Sequence, residues 1–339
     1  MIRLVLTLDY ELFGTGAGDV TRHMLEPTSH LLRIADDHGV PITVMAEVAE
    51  VLAWRREPSW RWAVEAVEGQ LVDAVRRGHD VQLHLHPAWF RARHEHGRWV
   101  LDFDEYALPG LPVEQIRRYV AEGAGYLNEL GRRADPLYRC TAFRAGGWLI
   151  QPSQAVVPAL VKAGISIDTT VFPGGRGSTG RWSLDFRPAA GRIAPWRVDV
   201  QDIVTQDPSG PLTEVPIHTR QVPLWAMLTP RRLRCQRRLL RESGFAHETA
   251  ARVGRGRSLS GIRPFLPQKL DFCRLSLREL VSSVDRARRS CRDSSEPVPV
   301  VAIGHSTEFT DSRTLRLFLD HLRSRRPDVD FARLKECGP

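Results

Sequence analysis

Short apolar runs alternate along the chain with longer amphipathic segments. The apolar runs are rich in strand-forming residues and are typical of buried strands. They are predicted at residues 2–8, 41–46, 81–86, 137–143, 165–168 and 298–304. The segments between them repeat apolar residues at helical spacing, in several cases before a glycine, which predicts helices. These helices are predicted at residues 28–39, 59–77, 113–130, 152–164 and 312–325.

The regular alternation of strands and helices indicates the fold class. Strand–helix units in series favour an α/β fold with a mainly parallel sheet, either open or closed into a barrel. The chain has 339 residues, 42% of them hydrophobic, which is enough for one large domain or two smaller ones. A barrel would use most of this length as a single domain.

Two segments interrupt the alternation. Residues 174–213 are rich in glycine, proline and tryptophan and are predicted to form an irregular excursion. Residues 231–292 hold 17 Lys and Arg against 5 Asp and Glu, a local charge of +12 in a chain of net charge +8, so the remainder carries −4. We predict that this basic segment is an insertion or cap with helices at 231–242 and 276–290. Positive charge confined to one segment argues against a general nucleic-acid-binding protein.

The sequence also bears on location and redox chemistry. No apolar run reaches the roughly 18 residues expected of a membrane span. The N-terminus lacks the basic, apolar and small-residue regions of a signal peptide, and these features favour a cytoplasmic protein. The five cysteines are widely spaced and form no CxxC motif. They therefore indicate neither a disulfide framework nor a thiolate zinc site.

Two carboxylates follow the first predicted strand, in the stretch LTLDYE. Asp9 and Glu11 are two residues apart, so an extended chain places them on the same face. Paired carboxylates repel each other unless a cation or a shared proton relieves the repulsion. The alternative is an ordinary polar loop start, and the other strands decide between the two readings.

Two histidines end the strand at 81–86. His84 and His86 again share one face, and with Glu11 they offer two nitrogens and one oxygen, a composition found in catalytic zinc sites. A second His-x-His pair, His94 and His96, lies among charged residues and glycine and is predicted to be an exposed turn.

Three further strands are followed by ionisable residues: Arg144, Asp168 and His305. The carboxyl ends of parallel strands meet at one edge of the sheet, where α/β proteins build their sites. The sequence therefore predicts one site at this edge.

The ordered motifs TLDYE, HDVQLHLHP, FRAGGW, DTTVFPG and AIGH resemble those of the NodB-homology polysaccharide deacetylases, carbohydrate esterase family 4. The resemblance covers residues 1–170 and 298–325. It implies a distorted (β/α) barrel, a single catalytic domain over residues 1–339, and metal-dependent hydrolysis of an N-acetyl group.

The resemblance also implies a role for each matching residue. Asp9 matches the general base, and Glu11, His84 and His86 match the metal ligands. Arg144 matches the arginine that holds the base, Asp168 the acid that tunes the catalytic histidine, and His305 the general acid. Ile303 takes the place of an apolar residue that lines the acetate pocket.

The chain departs from the family pattern in three places. The family usually has two adjacent acids, where this chain has Asp9-x-Glu11. The family's second histidine usually lies four residues after the first, where this chain has Ala88, so His86 must substitute for it. The arginine motif RAGGW lacks its usual proline. These differences indicate a divergent branch.

Remaining candidates concern the substrate. Backbone N–H groups near Gly146 and Gly147 are candidates to stabilise an oxyanion. Four tryptophans are candidates to stack on sugar rings, although a place in the core is the favoured reading: Trp148, Trp182, Trp196 and Trp225. Glu308 and Asp311 are candidates to hydrogen-bond His305, and Glu214 and His218 to line the site.

We therefore expect a metal-dependent N-deacetylase with a divalent cofactor, zinc being favoured. Its substrate would be an N-acetylated amino sugar in a glycan, glycolipid or small glycoside, and an anionic one if the basic segment attracts it. The alternatives are a related amidohydrolase that acts on a ureide or other non-sugar amide, and a non-catalytic carbohydrate-binding protein. A phosphate-binding loop at GGRGSTG and a nucleophilic Ser306 at GHSTE lack the rest of their motifs.

Overall fold

A computed structural model describes residues 1–178, 182–243 and 265–338. One large sheet dominates it. Its strands are β1 (Ile2–Tyr10), β2 (Ile42–Glu47), β3 (Asp80–Leu85), β6 (Ala142–Ala145), β7 (Ile167–Asp168), β10 (Trp196–Arg197), β11 (Thr213–Glu214), β14 (Val298–His305) and β15 (Val329–Phe331). Three two-stranded antiparallel sheets complete the numbering: β4 (Arg93–Glu95) with β5 (Arg98–Val100), β8 (Arg176–Ser178) with β9 (Ser183–Asp185), and β12 (Thr219–Pro223) with β13 (Phe265–Lys269).

The large sheet is parallel except at one edge. Its order is β10-β11-β7-β6-β3-β2-β1-β14, with β15 beside the start of β1, and only β10 runs antiparallel to its neighbour. The α-helices of the described residues are Glu26–Asp37, Val48–Arg55, Arg61–Arg76, Val113–Gly131, Val156–Lys162, Pro230–Glu242, Leu277–Ser290 and Ser312–Arg325. Within the described residues, no helix is both long enough and apolar enough to cross a bilayer.

The sheet curls until its two ends approach each other. After β11 the chain hydrogen-bonds to β7 through Val215 N–H and then to β14 through His218 N–H, each at 2.8–2.9 Å from its carbonyl partner. Single parallel bridges join Ile217 to Val301 and Asp271 to Ile303. The predicted α/β fold with a distorted barrel is therefore confirmed.

Alternation along β1 separates the interior of the barrel from the helical layer. Leu4, Leu6 and Leu8 belong to the large core between sheet and helices, whereas Val5 belongs to a second apolar cluster inside the curl. Asp9 lies four residues after Val5, an even spacing, so its side chain is on the same inner face at the carboxyl end of β1. Polar side chains at the carboxyl end of the sheet therefore lie next to the inner apolar cluster that contains Val5, and Asp9 is buried there.

Most predicted elements are present, with shifted ends. The strand expected at 137–143 begins only at Ala142, and the helix expected at 152–164 is limited to Val156–Lys162. The helix Val48–Arg55 was not predicted. It begins because the Glu47 side chain caps it by accepting a hydrogen bond from Ala49 N–H at 3.0 Å.

The two interrupting segments contain more order than their composition indicates. Residues 174–213 include the β8–β9 hairpin and β10 and lead into β11. The basic segment contains the two predicted helices, Pro230–Glu242 and Leu277–Ser290, together with β13. Its residues 244–264 lie outside the described chain. The single catalytic domain over residues 1–339 stays a prediction.

Candidate active site

A buried ion pair lies at the carboxyl end of β1. Arg144, at the end of β6, donates through Nη1 to Asp9 Oδ1, through Nη2 to Thr7 Oγ1 at 2.8 Å, and through Nε to the Thr169 carbonyl at 3.1 Å. Burial by itself would raise the pKa of Asp9, but the Arg144 guanidinium, helped by nearby histidines, holds that pKa below its ordinary value. Asp9 is therefore ionised and fixed in orientation.

Glu11 lies beside the two histidines of β3. Its Oε2 is 3.0 Å from His86 Nε2 and 3.4 Å from His84 Nε2. The Nδ1 atom of His84 lies 2.9 Å from the Arg144 carbonyl oxygen, so this nitrogen carries a proton and Nε2 is the atom that a bound cation would meet. Among the described residues, buried His84 Nε2 has no hydrogen-bond partner. Two imidazole nitrogens and a carboxylate suit a divalent cation.

The negative charge around this group favours a cation. Burial would lower the pKa of His84, yet the neighbouring carboxylates Glu11 and Asp9 raise it to about 9. Burial opposes ionisation of Glu11, but His86 and His84 keep its pKa well below the usual value. A cation at this point would replace the protons that otherwise balance the acids.

Glu47, at the end of β2, belongs to the same cluster. Its Oε2 accepts a hydrogen bond from His86 N–H at 2.6 Å, and Glu11, Glu47, His84 and His86 each offer a ligand atom within 4.8 Å of the others. Burial raises the pKa of Glu47 to about 7, against the pull of the two histidines. The sequence prediction missed Glu47, although it ends a strand at the same edge as the other site residues.

His305 completes the group from the other side of β1. It is paired in register with Asp9, and its Nε2 lies 3.4 Å from Asp9 Oδ2. Its Nδ1 is buried and has no hydrogen-bond partner in the described part of the chain. Asp271 and Glu308 each offer a carboxylate oxygen within 4.8 Å of a ring nitrogen of His305. Asp9 therefore lies between a potential acid, His305, and the metal-ligand group.

Lys269, at the end of β13, is a second residue that the sequence prediction missed. Its Nζ lies 3.8 Å from the centre of the Trp148 ring and 4.8 Å from that of Phe172. The Trp148 ring in turn lies 6.3 Å from the His305 ring. Burial lowers the pKa of Lys269 to about 8. Within the described residues Lys269 forms no ion pair, so its charge is available to a ligand.

Comparison with known proteins bears on the fold. No protein-family model and no curated protein matches the chain. Among solved structures, a probable polysaccharide deacetylase from Pseudomonas aeruginosa PAO1 is 14% identical with a TM-score of 0.50, and the match covers 99% of this chain and 89% of that one. The PuuE allantoinase is 13% identical at the same TM-score, covering 99% and 88%. The 4-alpha-glucanotransferase from Thermococcus litoralis is 12% identical, again at 0.50, covering 99% and 38%.

The chain has the polysaccharide deacetylase fold. The sequence motifs predicted this fold, and the prediction is confirmed. Because the identities are so low, the likeness establishes the fold alone. The reaction must be argued from the residues of the site.

Asp168 occupies a different environment from the one that its motif implies. Its carboxylate accepts hydrogen bonds from Thr170 N–H and Thr170 Oγ1, both at 2.9 Å. Burial and the neighbouring Asp168 raise the pKa of Glu214 well above its usual range, so the two acids share a proton. The acids grouped with His305 are Asp271 and Glu308 instead. Asp168 supports the β6–β7 edge near Arg144, and sequence reasoning had no signal for Asp271.

The loop beside His86 depends on two glycines. A Cβ atom on Gly146 would lie 2.5 Å from the Leu85 carbonyl oxygen and 2.6 Å from the His86 ring, so a side chain there would displace His86. Gly147 has a φ of +61° and faces the Tyr106 hydroxyl. Burial, with a smaller contribution from Glu11, raises the pKa of Tyr106, which keeps this hydroxyl a proton donor.

The other substrate candidates divide between core and surface. Ile303 is fully buried in the inner apolar cluster, against which Trp148 packs. Trp196 is buried, whereas Trp225 is exposed. Asp311 pairs with Arg231 and caps the helix Ser312–Arg325, so it has a structural role. Of the second His-x-His pair, His96 lies in the exposed turn of the β4–β5 hairpin, whereas His94 lies on β4 and packs against Trp60 and Trp99.

A cavity of about 270 Å³ opens onto the site. Glu11 and His305 line it from the barrel, and Gln236, Leu239 and Leu240 line it from the helix Pro230–Glu242. A neighbouring cavity of about 260 Å³ lies between the same helix and Lys269. This helix, which we call the cap helix, therefore covers the carboxyl end of the barrel and bounds the space open to a substrate.

Proposed function

We propose that this protein is a metal-dependent hydrolase that removes the N-acetyl group from an amino sugar in a glycan, glycolipid or small glycoside. One observation carries the proposal: ionised Asp9 lies 3.4 Å from His305 and directly beside a group of metal-ligating side chains. A base, an acid and a cation site in one cavity are the parts that amide hydrolysis needs.

Glu11, His84 and His86 would hold the cation, and Glu47 is close enough to contribute. Zinc is favoured by this mixture of imidazole and carboxylate donors. When bound, the metal would supply Lewis acidity, which polarises an acyl carbonyl and lowers the pKa of a water molecule. The fixed tautomer of His84, set by the Arg144 carbonyl, presents the correct nitrogen for this role.

The protein's own groups would move the protons. Asp9 accepts a proton from the attacking water, and Arg144 keeps Asp9 ionised for that purpose. His305 donates a proton to the departing amine, a role that suits imidazole near neutral pH. Asp271 and Glu308 would orient His305, the role that the motif resemblance gives to Asp168.

The surrounding groups would bind the substrate. Tyr106 and backbone N–H groups near Gly146 and Gly147 are placed to stabilise the oxyanion, and Ile303 with Trp148 supplies the apolar wall for the acetyl methyl. Lys269 stands beside that wall without a carboxylate partner in the described residues, so an anionic sugar is the preferred substrate.

A ureide-opening amidohydrolase is the second candidate. The PuuE allantoinase matches this chain at the same TM-score as the deacetylase, so the fold favours neither. The same base, acid and cation would serve either amide. The two functions differ only in what fills the cavity.

The test combines metal analysis with a substrate panel. Purified protein is expected to hold one divalent ion and to release acetate from N-acetylated sugars, while allantoin stays intact. His84→Ala should lose the metal, and His96→Ala, in the exposed turn of the β4–β5 hairpin, is the matched control that should retain it. Allantoin turnover without acetate release would support the second candidate. Full metal content without any turnover would support a binding protein and refute both.

A further inference from the structure

The cap exposes a concentration of large apolar side chains. Six of the thirteen exposed large hydrophobic residues in the described chain lie between residues 224 and 265. We call them the cap face: Leu224, Trp225, Leu228, Leu233, Leu240 and Phe265. Trp225 alone is 76% exposed. A cluster of this kind marks an interaction surface, because single exposed hydrophobic residues are normally scattered.

Four of these residues lie at or just after the ends of the paired strands β12 and β13, and two lie on the cap helix. Phe265 is paired with Pro223 at the end of β12, and Leu224 and Trp225 follow Pro223 directly. The cap helix begins a few residues later, where Thr229 caps it. Leu233 and Leu240 are seven residues apart, so they lie on one face of the cap helix.

Arginines flank this apolar face, and they differ in their pairing. Arg231 pairs with Asp311, and Arg238 donates to the Thr307 carbonyl. Arg234 and Arg237 are exposed, and within the described residues neither of them forms an ion pair. The cap face therefore combines apolar area with uncompensated positive charge.

We propose that the cap face binds the surface of an anionic lipid bilayer. An amphipathic helix with arginines beside leucines inserts its apolar side chains at the level of the lipid headgroups. Tryptophan is enriched at that level, and guanidinium groups pair with phosphate. A polyanionic glycan would attract the arginines but would leave the aliphatic side chains exposed.

The position of the cap face relates it to the site. Leu240 also lines the cavity above Glu11 and His305, and Leu233 lines the cavity beside Lys269. A bilayer docked on the cap face would therefore lie next to both cavities. The binding itself does not depend on the proposed function.

Vesicle flotation of the full chain tests the proposal without any activity measurement. The protein is expected to float with vesicles of phosphatidylcholine and phosphatidylglycerol at low salt, and to stay behind with phosphatidylcholine alone. Each juxtamembrane arginine contributes about fivefold to binding. The double variant Arg234→Gln/Arg237→Gln should therefore bind about 25-fold more weakly.

Two tryptophan variants separate a specific surface from general stickiness. Trp225→Ala should weaken vesicle binding several-fold. Trp62→Ala, which removes a tryptophan that is 52% exposed on another helix, should bind like the parent. Equal binding to neutral and anionic vesicles, or equal binding by Trp225→Ala and the parent, would overturn the proposal. So would a dimer that Trp225→Ala dissociates while vesicles bind neither form, because a second copy would then cover the cap face.

Discussion

Replacing Arg144 with glutamine tests the central electrostatic argument. Arg144 is fully buried, and its guanidinium binds Asp9, Thr7 and the Thr169 carbonyl. Removing one partner of a buried ion pair leaves the other charge uncompensated and costs about 3–5 kcal/mol. We expect the free energy of unfolding of metal-free Arg144→Gln to fall by that amount at neutral pH.

The effect should depend on pH in a defined direction. In the parent, the lowered pKa of Asp9 contributes stability that is complete above the ordinary aspartate value of about 3.9 and is lost as the pH falls through the lowered value. In Arg144→Gln, burial is no longer opposed by the guanidinium, so the pKa of Asp9 rises and the acid becomes neutral at a higher pH. The stability difference between the two proteins should therefore shrink as the pH falls.

Urea denaturation of metal-free protein across this pH range measures both effects. Asp9→Asn/Arg144→Gln should be more stable than Arg144→Gln alone, because no unpaired charge remains. Arg117→Gln is the control, since Arg117 pairs with Glu114 on an exposed helix surface and should change stability by less than about 1 kcal/mol. A similarly small effect of Arg144→Gln, or a stability difference that grows at low pH, would refute the reasoning.

Three further predictions concern the site. Lys269→Met should raise KM for a phosphorylated N-acetyl sugar but not for its neutral counterpart. Because the pKa of Lys269 is about 8, the KM of the parent protein for the anionic substrate should rise as the pH increases through that value, and the variant should lack this dependence. Equal salt and pH dependence for both substrates would contradict the prediction. Gly146→Ala should lower metal affinity more than tenfold by displacing His86, measured by chelator competition, and unchanged affinity would show that the loop relaxes. If Asp271 orients His305, Asp271→Asn should keep the metal, lower kcat by about 10–100-fold and shift the pH–rate profile, since general acid catalysis accelerates a reaction by about 10²–10⁴-fold. An unchanged pH–rate profile would show that Asp271 does not have this role.

The predicted residues that the structure brings together share a simple geometric rule. Asp9, Glu11, His84, Arg144 and His305 lie at or next to the carboxyl ends of strands, and the parallel sheet brings these ends together. Alternation along a strand then predicts which side chains share a face. Glu11 does lie in contact with both His84 and His86. Their chemical roles stay proposals.

The residues that were missed depend on information that a local pattern does not contain. Glu47 lies one position beyond its predicted strand and reads as the start of a helix, which it also caps. Lys269 and Asp271 belong to a segment whose composition indicated only a basic insertion. They reach the site because the chain there forms a single bridge to Ile303, a contact between positions far apart in sequence. Asp168 shows the converse, since its motif is present but its carboxylate is occupied by Thr170.

The basic segment therefore has two electrostatic functions that its total charge conceals. Toward the barrel, Arg274 binds both oxygens of Glu308 and so lowers the Glu308 pKa against the effect of burial, beside the unpaired nitrogen of His305. Toward solvent, Arg234 and Arg237 balance no acid in the described residues. Inward charges gain strength from burial and resist salt, whereas outward charges are screened within about 10 Å at 0.1 M salt. Salt should consequently weaken whatever binds the cap face while leaving the environment of His305 unchanged, and this difference separates attraction of a partner from support of His305.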